Sequence, residues 1–460
     1  MTRSAKTLRA TAISALAAAG AIAIAEQPAC TSSKSTAVGA DAGTVVIGVV
    51  TSLTGDQGQT GIPVQSATQV AAQQLNAIGG ILGRPVSFVI LDDATNNDQT
   101  ASIVNGFIQQ KVAGVLGPTS SAAVSAVQKL LYDAKFIQIS STATSPTLSA
   151  AQPLHDRYLF RTIAPNDRMA TVLAKFAHDG GVPLDGGAPP PTCRTMAIVH
   201  SDDSFGKSFA DSMTTAFTAR GGTVPAAMQL QIPATLQANY NDQVDAIVAA
   251  SPAVDCMALL MFAPAATQLM SDFRKRTTGN AAFAPNKFLI VASNSEYSAS
   301  FTVNGRANPA DPASPTSVEG VYGVYVDPAP QTREYFAFQN LYTSMFQVDL
   351  SQGVLLRSTA NQYDAAILLA LAIEAAGGTD DRVKLRDALY AVSKDGKAYG
   401  PGEVADAIAA IKRGDDIDYN GASGPVDLGD DGLIDEDFVI WRVVDGNFVT
   451  VAHVKAADAK

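Results

Sequence analysis

Hydroxyl-bearing loops are the feature of this sequence with the clearest chemical use. Three of them follow apolar, β-branched runs and contain Ser52 and Leu53; Ser120 and Ser121; and Thr142, Ala143 and Thr144. Hydroxyls beside the unpaired N–H groups of a helix N-terminus suit a carboxylate or another hydrogen-bonding head group. Helix capping explains any one of these residues equally well. Three such loops at one sheet edge nevertheless indicate a binding site for a small polar ligand.

Carboxylates and histidines offer no comparable arrangement for catalysis or metal binding. Asp92 and Asp93 are adjacent on a strand end and point to opposite sides, so loop capping explains them better than a catalytic pair. The acidic run at residues 427–437 lacks the alternating ligands and the closing glutamate of a calcium loop. The four histidines are scattered without metal spacing, and no Gly-x-Ser-x-Gly elbow occurs. We therefore expect no enzyme activity, no cofactor and no metal.

Charge and hydropathy argue against a nucleic-acid partner and against a membrane-spanning segment beyond the amino-terminal region. The net charge is −11 and 16% of residues are charged, which argues against nucleic acid because such binding depends on neutralising phosphates. Beyond the amino-terminal region, no segment reaches the roughly eighteen apolar residues of a membrane span. We expect a water-facing monomer whose contact with a membrane is made through a lipid anchor alone.

The first 30 residues have the layout of a secretory signal. A basic stretch precedes an alanine-rich run at residues 10–25, and Ala29 and Cys30 follow. A cysteine after a small residue resembles the lipobox of bacterial lipoproteins, in which that cysteine is acylated. Gln27 departs from this pattern, since an aliphatic residue is usual there. Ordinary cleavage without acylation is the alternative.

A tether follows the signal. Residues 31–43 are small, polar and without period, which predicts a flexible link between membrane and domain. The expected location is therefore outside the cytoplasm, in the periplasm or cell envelope, with lipid attached at Cys30.

Short β-branched runs alternate with helical stretches from residue 44 onwards. Strands are predicted at residues 44–50, 86–91, 112–117 and 136–140, and in a second series at 195–200, 256–262 and 288–293. The alternation predicts parallel sheets with helices on both faces. About four hundred residues exceed one core of typical size, so we predict an α/β fold with two doubly wound lobes. Asp431 and Gly432 are predicted to form a turn between two late strands.

Two further cysteines, Cys193 and Cys256, each stand at the start of an apolar run. Neighbouring parallel strands would bring them together at one edge, and an oxidising compartment favours a disulfide. Two reduced, buried thiols are the alternative.

Six segments occur in a characteristic order: GGILGRPVSFVILDD, GVLGPTSSAAVSAV, ISSTATSPTLS, AIVHSDDSFGKSFAD, QYDAAILLALAIEAAG and YNGASGPVDL. Together they resemble the substrate-binding proteins of branched-chain amino-acid ABC transporters, which are class I periplasmic receptors. The resemblance implies two lobes joined by three hinge strands, near residues 161–164, 321–326 and 422–425. Lobe I would comprise residues 44–162 and 327–422, and lobe II residues 163–326 and 423–455.

The resemblance also implies roles for single residues. Ser121 matches a serine that binds the ligand carboxylate, and residues 142–144 match the loop that holds carboxylate and ammonium. Phe205 and Phe262 stand where aromatic residues, often tyrosine, cover the ligand from the second lobe. The carboxylate expected opposite an ammonium falls at Ser293 or Asn294, so that either Glu296 or Asp203 takes this role or the ligand is less cationic. The predicted ligand-binding set is Ser52, Leu53, Ser120, Ser121, Thr142, Ala143, Thr144, Asp203, Phe205, Phe262, Asn294 and Glu296.

The function expected from these features is that of a receptor. It would close like a hinged clamp on a small polar ligand, an amino acid or a related amide or carboxylate, and deliver it to an ABC permease. A sensory or regulatory module that reports occupancy to a signalling partner is the alternative, because the same fold serves both functions.

Overall fold

The computed structural model describes residues 43–181, 189–250, 253–285, 287–327, 330–348 and 358–459. The predicted signal, Cys30 and residues 31–42 of the predicted tether lie outside this part of the chain. Within the described ranges, no helix combines the length and the apolar character that a membrane crossing requires.

The first sheet has five parallel strands in the order β2-β1-β3-β4-β5. Its strands are β1 (Val45–Thr51), β2 (Val86–Asp92), β3 (Val115–Leu116), β4 (Gln138–Ser140) and β5 (Leu159–Arg161). The intervening helices are α1 (Gly58–Ala77), α2 (Asn97–Gln109), α3 (Ser121–Asp133) and α4 (Thr147–Ala150). The near-continuous apolar sequence of β1 fits a central strand that helices cover on both faces.

The second sheet has seven strands in the order β15-β14-β10-β9-β8-β6-β7. Its parallel strands are β6 (Met196–Ser201), β7 (Gln229–Ile232), β8 (Cys256–Leu260), β9 (Leu289–Ala292) and β10 (Tyr322–Val326). The helices in this part of the chain are α5 (Asn166–Asp179), α6 (Ser204–Ala219), α7 (Asn241–Ala250), α8 (Ala263–Thr277) and α9 (Ala299–Asn304).

The chain then returns to the first sheet. Four helices follow: α10 (Arg333–Phe346), α11 (Thr359–Ala376), α12 (Arg382–Ala391) and α13 (Val404–Arg413). A small sheet holds β11 (Lys397–Tyr399), β12 (Ile417–Gly421) and β13 (Gly424–Pro425). Nearly all of α11 is buried, consistent with its apolar sequence and its position against α1, α12 and α13.

The antiparallel strands β14 (Phe438–Val444) and β15 (Asn447–Val454) complete the second sheet. Asp445 and Gly446, both at positive φ, connect them. The expectation of a turn at Asp431 and Gly432 between paired strands is wrong in its pairing: Gly432 has a φ of +70°, but β13 pairs with β12 and β14 pairs with β10 and β15. Pairing of that kind is decided by the sheet, which local turn chemistry does not encode.

Two large hydrophobic cores accompany the two sheets, so the α/β architecture has the two lobes predicted from the sequence. Phe160 belongs to the core of the first lobe and Ile163 to that of the second, and the chain first crosses between them. At the third crossing, Ile434 still packs in the first core and Phe438 begins the second. This crossing therefore lies after Ile434 and not at residues 422–425, because 424–425 form an edge strand of the small sheet.

Candidate ligand-binding cleft

A cavity of about 20 Å³ lies between the lobes, beyond the carboxyl ends of strands in both sheets. Such ends are where open parallel sheets bind ligands. The described residues that line it are Gln57, Thr60, Thr119, Ser120, Ser121, Thr142, Ile163, Phe205, Phe262, Asn294, Ser295, Tyr325 and Ser358. A wider space of about 500 Å³ at its mouth is bordered by Asp56, Thr95, Asp202 and Asp203 among others. The inner cavity is narrow because the two lobes are closed on each other.

The N-terminus of α3 forms the polar wall of the cavity. Ser120 caps this helix, since its Oγ accepts a hydrogen bond from the Ala123 N–H at 3.0 Å. The Oγ of Ser121 accepts from the Ser145 N–H at 3.1 Å. Each of these contacts occupies a lone pair and leaves the hydroxyl hydrogen available as a donor. Two O–H donors at the positive end of a helix dipole can hold an anionic group.

The loop after β4 is fastened to this wall by further hydroxyl contacts. Thr142 donates from Oγ1 to the Thr119 carbonyl at 2.6 Å. Ser140 donates to the Pro118 carbonyl at 3.0 Å and accepts from the Ala143 N–H at 3.2 Å. Hydrogen bonds of this number fix the two loops relative to each other before any ligand arrives.

A buried guanidinium lies behind the same loop. Arg161 donates from Nη1 to the carbonyls of Ala143 (3.1 Å) and Ser145 (2.9 Å), and from Nη2 to the Ser149 Oγ at 2.9 Å. Its burial lowers the pKa to about 10, which leaves the side chain charged at neutral pH. The polar wall therefore has a positive charge beneath it.

Stacked aromatic rings form the opposite wall. Phe205 lies in the first turn of α6, and Phe262 immediately precedes α8. Their ring centroids are 5.2 Å apart with an interplanar angle of 19°. Asp203 caps α6 by accepting from the Gly206 N–H at 2.7 Å, and this contact sets the direction of that turn.

A short 3₁₀ helix after β9 contributes the polar residues Asn294 and Ser295 to this wall. It spans Asn294–Glu296. The Asn294 Oδ1 is buried and has no hydrogen-bond partner among the residues that the structure describes. Glu296 is buried below it, and its carboxylate accepts from the Ser293 Oγ at 2.5 Å. Glu296 does not border the cavity, so this helix offers a ligand an amide and a hydroxyl rather than a carboxylate.

The cleft brings together part of the set predicted from the sequence. Ser120, Ser121, Thr142, Phe205, Phe262 and Asn294 line the cavity, and Asp203 lies at its mouth. The other predicted ligand residues, which are Ser52, Leu53, Ala143, Thr144 and Glu296, do not border it. Ser52 Oγ donates to Asp93 at 2.7 Å and Leu53 N–H donates to Asp92 at 2.8 Å, so these two residues close a loop instead.

Several lining residues were missed by sequence reasoning. Gln57 and Thr60 lie at the start of α1, directly after the first predicted loop, and could have been read from that position. Tyr325 and Ser358 come from the hinge region, where the Tyr325 hydroxyl lies 2.9 Å from the Ser358 Oγ. No local pattern marks this pair, because a crossing of the chain brings the two residues together.

Cys193 and Cys256 form a disulfide with their Cα atoms 5.6 Å apart. Cys256 begins β8 and Cys193 precedes β6, so the bond ties the amino ends of these strands, opposite the cleft. Among the described residues, the one grouping of side chains compact enough for a metal ion consists of this pair and Asp255. Both sulfurs are engaged in the disulfide, and the Asp255 carboxylate accepts from the N–H groups of Arg194 and Thr195.

Two α/β lobes closed over a cavity at the carboxyl ends of their strands define a two-lobed solute-binding protein. The family profile described as "Periplasmic binding protein" matches residues 44–446, and the chain belongs to that family. This confirms the resemblance seen in the sequence. Members of the family bind substrates and are not enzymes, and membership implies a location outside the cytoplasmic membrane.

Individual relatives are more distant. The Leu/Ile/Val-binding protein BraC3 of Rhizobium johnstonii is 28% identical over 179 residues, which are 39% of this chain and 45% of the relative. The alignment thus spans less than half the length of that relative. The leucine binding protein LivK of Thermotoga maritima has a TM-score of 0.69 at 19% identity, over 90% of this chain and 99% of its own. A solute binding protein of Rhodopseudomonas palustris BisB5, in complex with 3,4-dihydroxy benzoic acid, has a TM-score of 0.65 at 19% identity. The match covers 90% of this chain and 98% of that protein.

Proposed function

We propose that this chain is the solute-binding receptor of an ABC transporter, which closes on a small carboxylate and delivers it to a permease. The observation that carries the proposal is the pairing of two unlike walls. The hydroxyls of Ser120 and Ser121 at the N-terminus of α3 face the stacked rings of Phe205 and Phe262 across one cavity. A ligand with an anionic head and a flat or branched apolar body satisfies both walls.

The head group is the better defined end of this ligand. A carboxylate at the N-terminus of α3 accepts from the Ser120 and Ser121 hydroxyls and gains from the helix dipole and the buried Arg161 cation. Hydrogen bonds to a charged group contribute about 1.5–3 kcal/mol each. An uncharged head group would lose most of this contribution.

The cavity offers an α-ammonium group fewer favourable contacts than it offers a carboxylate. Among the lining residues that the structure describes there is no aspartate or glutamate, and the second lobe offers the Asn294 amide and the hydroxyls of Ser295 and Tyr325. Neutral amide and hydroxyl oxygens compensate a buried cation less well than a carboxylate does. We therefore propose carboxylates without an ammonium as the favoured class. BraC3 is named for leucine, isoleucine and valine, whereas the R. palustris protein holds a dihydroxybenzoic acid, so relatives of both kinds exist.

A thermal-shift screen tests the ligand class directly. The protein is heated with leucine, isoleucine and valine in one series and with benzoate, 3,4-dihydroxybenzoate and short aliphatic acids in another. A ligand at a hundred times its Kd adds about 2.7 kcal/mol to the free energy of unfolding. Shifts with the acids alone support the proposal. Shifts with the amino acids alone contradict the preference for a carboxylate without an ammonium, and no shift with either series contradicts the receptor.

Ser121→Ala tests the head-group site. The change removes one O–H donor to the ligand, and we expect Kd to rise at least tenfold, measured by titration calorimetry with whichever acid gives the largest shift. Ser140→Ala is the matched control, since Ser140 is equally buried and bonded to neighbouring loops but does not line the cavity. The control should lose stability and keep its Kd. Equal Kd values for Ser121→Ala and the unaltered protein would remove Ser121 from the site.

Export and anchoring belong to the same proposal. We propose acylation of Cys30, which would keep the receptor at the membrane beside its permease. Labelling cells with an alkyne fatty acid should mark the unaltered protein, and Cys30→Ser should abolish the label and release the protein from the membrane fraction. A label that persists in the Cys30→Ser variant would contradict acylation at this residue.

A further inference from the structure

The carboxyl of Glu436 joins segments that pass between the lobes. Glu436 itself lies in the third crossing, between Ile434 and Phe438. Its Oε2 accepts from the Ala164 N–H, just after the first crossing, at 2.6 Å. Its Oε1 accepts from the Nδ2 of Asn361, on the first turn of α11, also at 2.6 Å. One side chain thus connects the two crossings to the central helix of the first lobe.

Asn361 extends this connection. Its Nδ2 also donates to the Thr162 carbonyl at 2.6 Å, and the Thr162 Oγ1 donates to the Asn361 carbonyl at 2.8 Å. Thr162 lies in the first crossing, between the core of the first lobe at Phe160 and that of the second at Ile163. A rotation of the lobes about these crossings must therefore strain or break some of the contacts around Glu436.

Burial makes the Glu436 carboxyl hard to ionise in the closed protein. Glu436 is 5% exposed, and burial of its carboxyl, the largest cause, raises the pKa to about 8. The hydrogen bonds from Ala164 and Asn361 act in the opposite direction but do not offset the burial. The negative charges of Asp364 on α11 and Asp327 after β10 raise the pKa further.

Three acidic side chains near Glu436 are engaged in ion pairs. The pairs are Asp435 with Arg168 of α5 at 2.7 Å, Asp437 with Lys455 after β15 at 2.7 Å, and Asp327 with His453 of β15 at 3.1 Å. Asp364 is buried and accepts from Tyr419, Ala422 and Ser423. No cation within hydrogen-bond distance of the Glu436 carboxyl is present among the described residues, so a nearby positive charge does not stabilise its ionised form.

We propose that Glu436 is a positioning residue of the hinge, which couples closure of the lobes to the uptake of one proton. The proposal rests on the proposed function, since it concerns regulation of the same cleft. Opening admits water to the crossing segments, and a hydrated carboxyl is stable in its ionised form. Closure removes that water, which favours the protonated form.

The direction of the effect follows from the raised pKa in the closed state. The advantage of closure is complete at a pH below the ordinary glutamate value and is lost as the pH rises through about 8. Between these limits, one proton changes the ratio of closed to open protein by up to roughly tenfold per pH unit. Acidification from pH 9 to pH 6 should therefore close the unliganded protein.

Distance measurement between the lobes tests this inference without a ligand. Lys129→Cys on α3 and Lys275→Cys on α8 place spin labels at positions whose side chains are 83% and 74% exposed. Cys30→Ser in the same full chain removes the third site for labelling. Pulsed electron paramagnetic resonance at pH 6, 7, 8 and 9 should show the shorter distance gaining population as the pH falls.

Glu436→Gln supplies the decisive comparison, because a neutral amide has the shape of the protonated carboxyl and does not titrate. The variant should show one distance distribution at all four pH values. Asp435→Asn and His453→Gln are matched controls, since they remove neighbouring titratable groups and should keep the pH profile of the unaltered protein. A flat profile in the unaltered protein, or an unchanged profile in Glu436→Gln, would overturn the proposal.

Two safeguards keep the outcomes separate. Glu436→Asp should restore a pH profile with a shifted midpoint, and a flat profile in a folded Glu436→Asp protein would also count against the proposal. If Glu436→Gln does not fold, the distance distribution of the unaltered protein between pH 6 and pH 9 still tests the proposal, because a flat profile contradicts it. Failure of every acid and amino acid to bind would contradict the proposed function, whereas a flat distance profile contradicts only the role of Glu436.

Discussion

The two walls of the cleft are built in opposite ways. The first-lobe wall consists of loops held by hydroxyl and guanidinium hydrogen bonds, with Arg161 fully buried behind them. The second-lobe wall consists of the Phe205 and Phe262 rings, which pack on a large apolar core whose strands a disulfide ties at the far end. Polar contacts are directional, so the first wall can orient a ligand. Apolar contacts are not, so the second wall supplies area and shape.

This difference suggests that the two walls act at different stages of ligand binding. The first wall is complete before a ligand arrives, because its hydroxyl acceptors are already engaged within the lobe. The rings of the second wall are covered only when the lobes meet. Binding to the open protein would then begin at α3, and burial of the rings would drive closure.

The largest expected effect concerns the disulfide behind the second wall. Replacing Cys193 and Cys256 by alanine frees a loop with a sequence separation of 63 residues, which should lower the free energy of unfolding by about 4 kcal/mol. Ligand Kd should change less than twofold, because the bond lies at the amino ends of the strands. Urea unfolding and calorimetry measure the two quantities. A large loss of affinity would show that the second wall depends on this distant bond.

Arg161→Met should have the next largest effect and acts on the first wall. The carbonyls of Ala143 and Ser145 would remain buried without their donor, which should destabilise the protein by about 3 kcal/mol and weaken ligand binding as well. Arg168→Met is the control, because the Arg168 pair with Asp435 lies partly in solvent and contributes less than about 1 kcal/mol. Similar unfolding free energies for the two variants would show that the guanidinium does not hold the first wall.

Phe205→Ala tests the second wall itself, with a somewhat smaller effect. Loss of ring area and of stacking on Phe262 should reduce binding by about 2 kcal/mol, or roughly thirtyfold in Kd. Because the wall acts through shape, Phe205→Leu should recover part of this loss. If Phe205→Ala binds as tightly as the unaltered protein, the rings do not cover the ligand.

The dependence of stability on pH separates the walls from the hinge. Among the described lining residues, Tyr325 is the one with a titratable side chain, whereas Asp364 and Glu436 near the crossings have pKa values that burial raises to about 6 and about 8. Stabilisation from a raised carboxyl is present at a pH below its ordinary value and is lost as the pH rises through the raised value. Stability should therefore fall by about 1 kcal/mol per pH unit between pH 6 and pH 8, and more steeply between pH 5 and pH 6, where both carboxyls contribute.

Urea unfolding across this range checks that prediction. Asp364→Asn should make the fall shallower below pH 6, where Glu436 still contributes, and Glu436→Gln should flatten the curve between pH 6 and pH 8, because each change removes one titrating group. Stability that increases from pH 5 to pH 8 in the unaltered protein would contradict the assignment of both groups.

The local elements of the fold were readable from the sequence. The run at residues 44–50 became β1, Val45–Thr51, because consecutive β-branched residues favour a strand buried on both faces. Ser120 and Ser121 were expected at a site because a hydroxyl after a buried strand marks a helix N-terminus at the edge where open sheets bind ligands, and both line the cavity. These signals lie within a few residues of the position that they describe.

The sequence by itself therefore determined the succession of strands and helices along the chain and the helix N-terminus at Ser120, since both depend on local periodicity and capping, and the chain length indicated two lobes. The tertiary structure alone decided that Tyr325 and Ser358 border the cavity, that Glu296 lies beneath it and that Glu436 joins two crossings. The physical reason is sequence separation. Residues at a hinge meet through chain segments distant in sequence, and no local pattern records which of them will be neighbours when the lobes close.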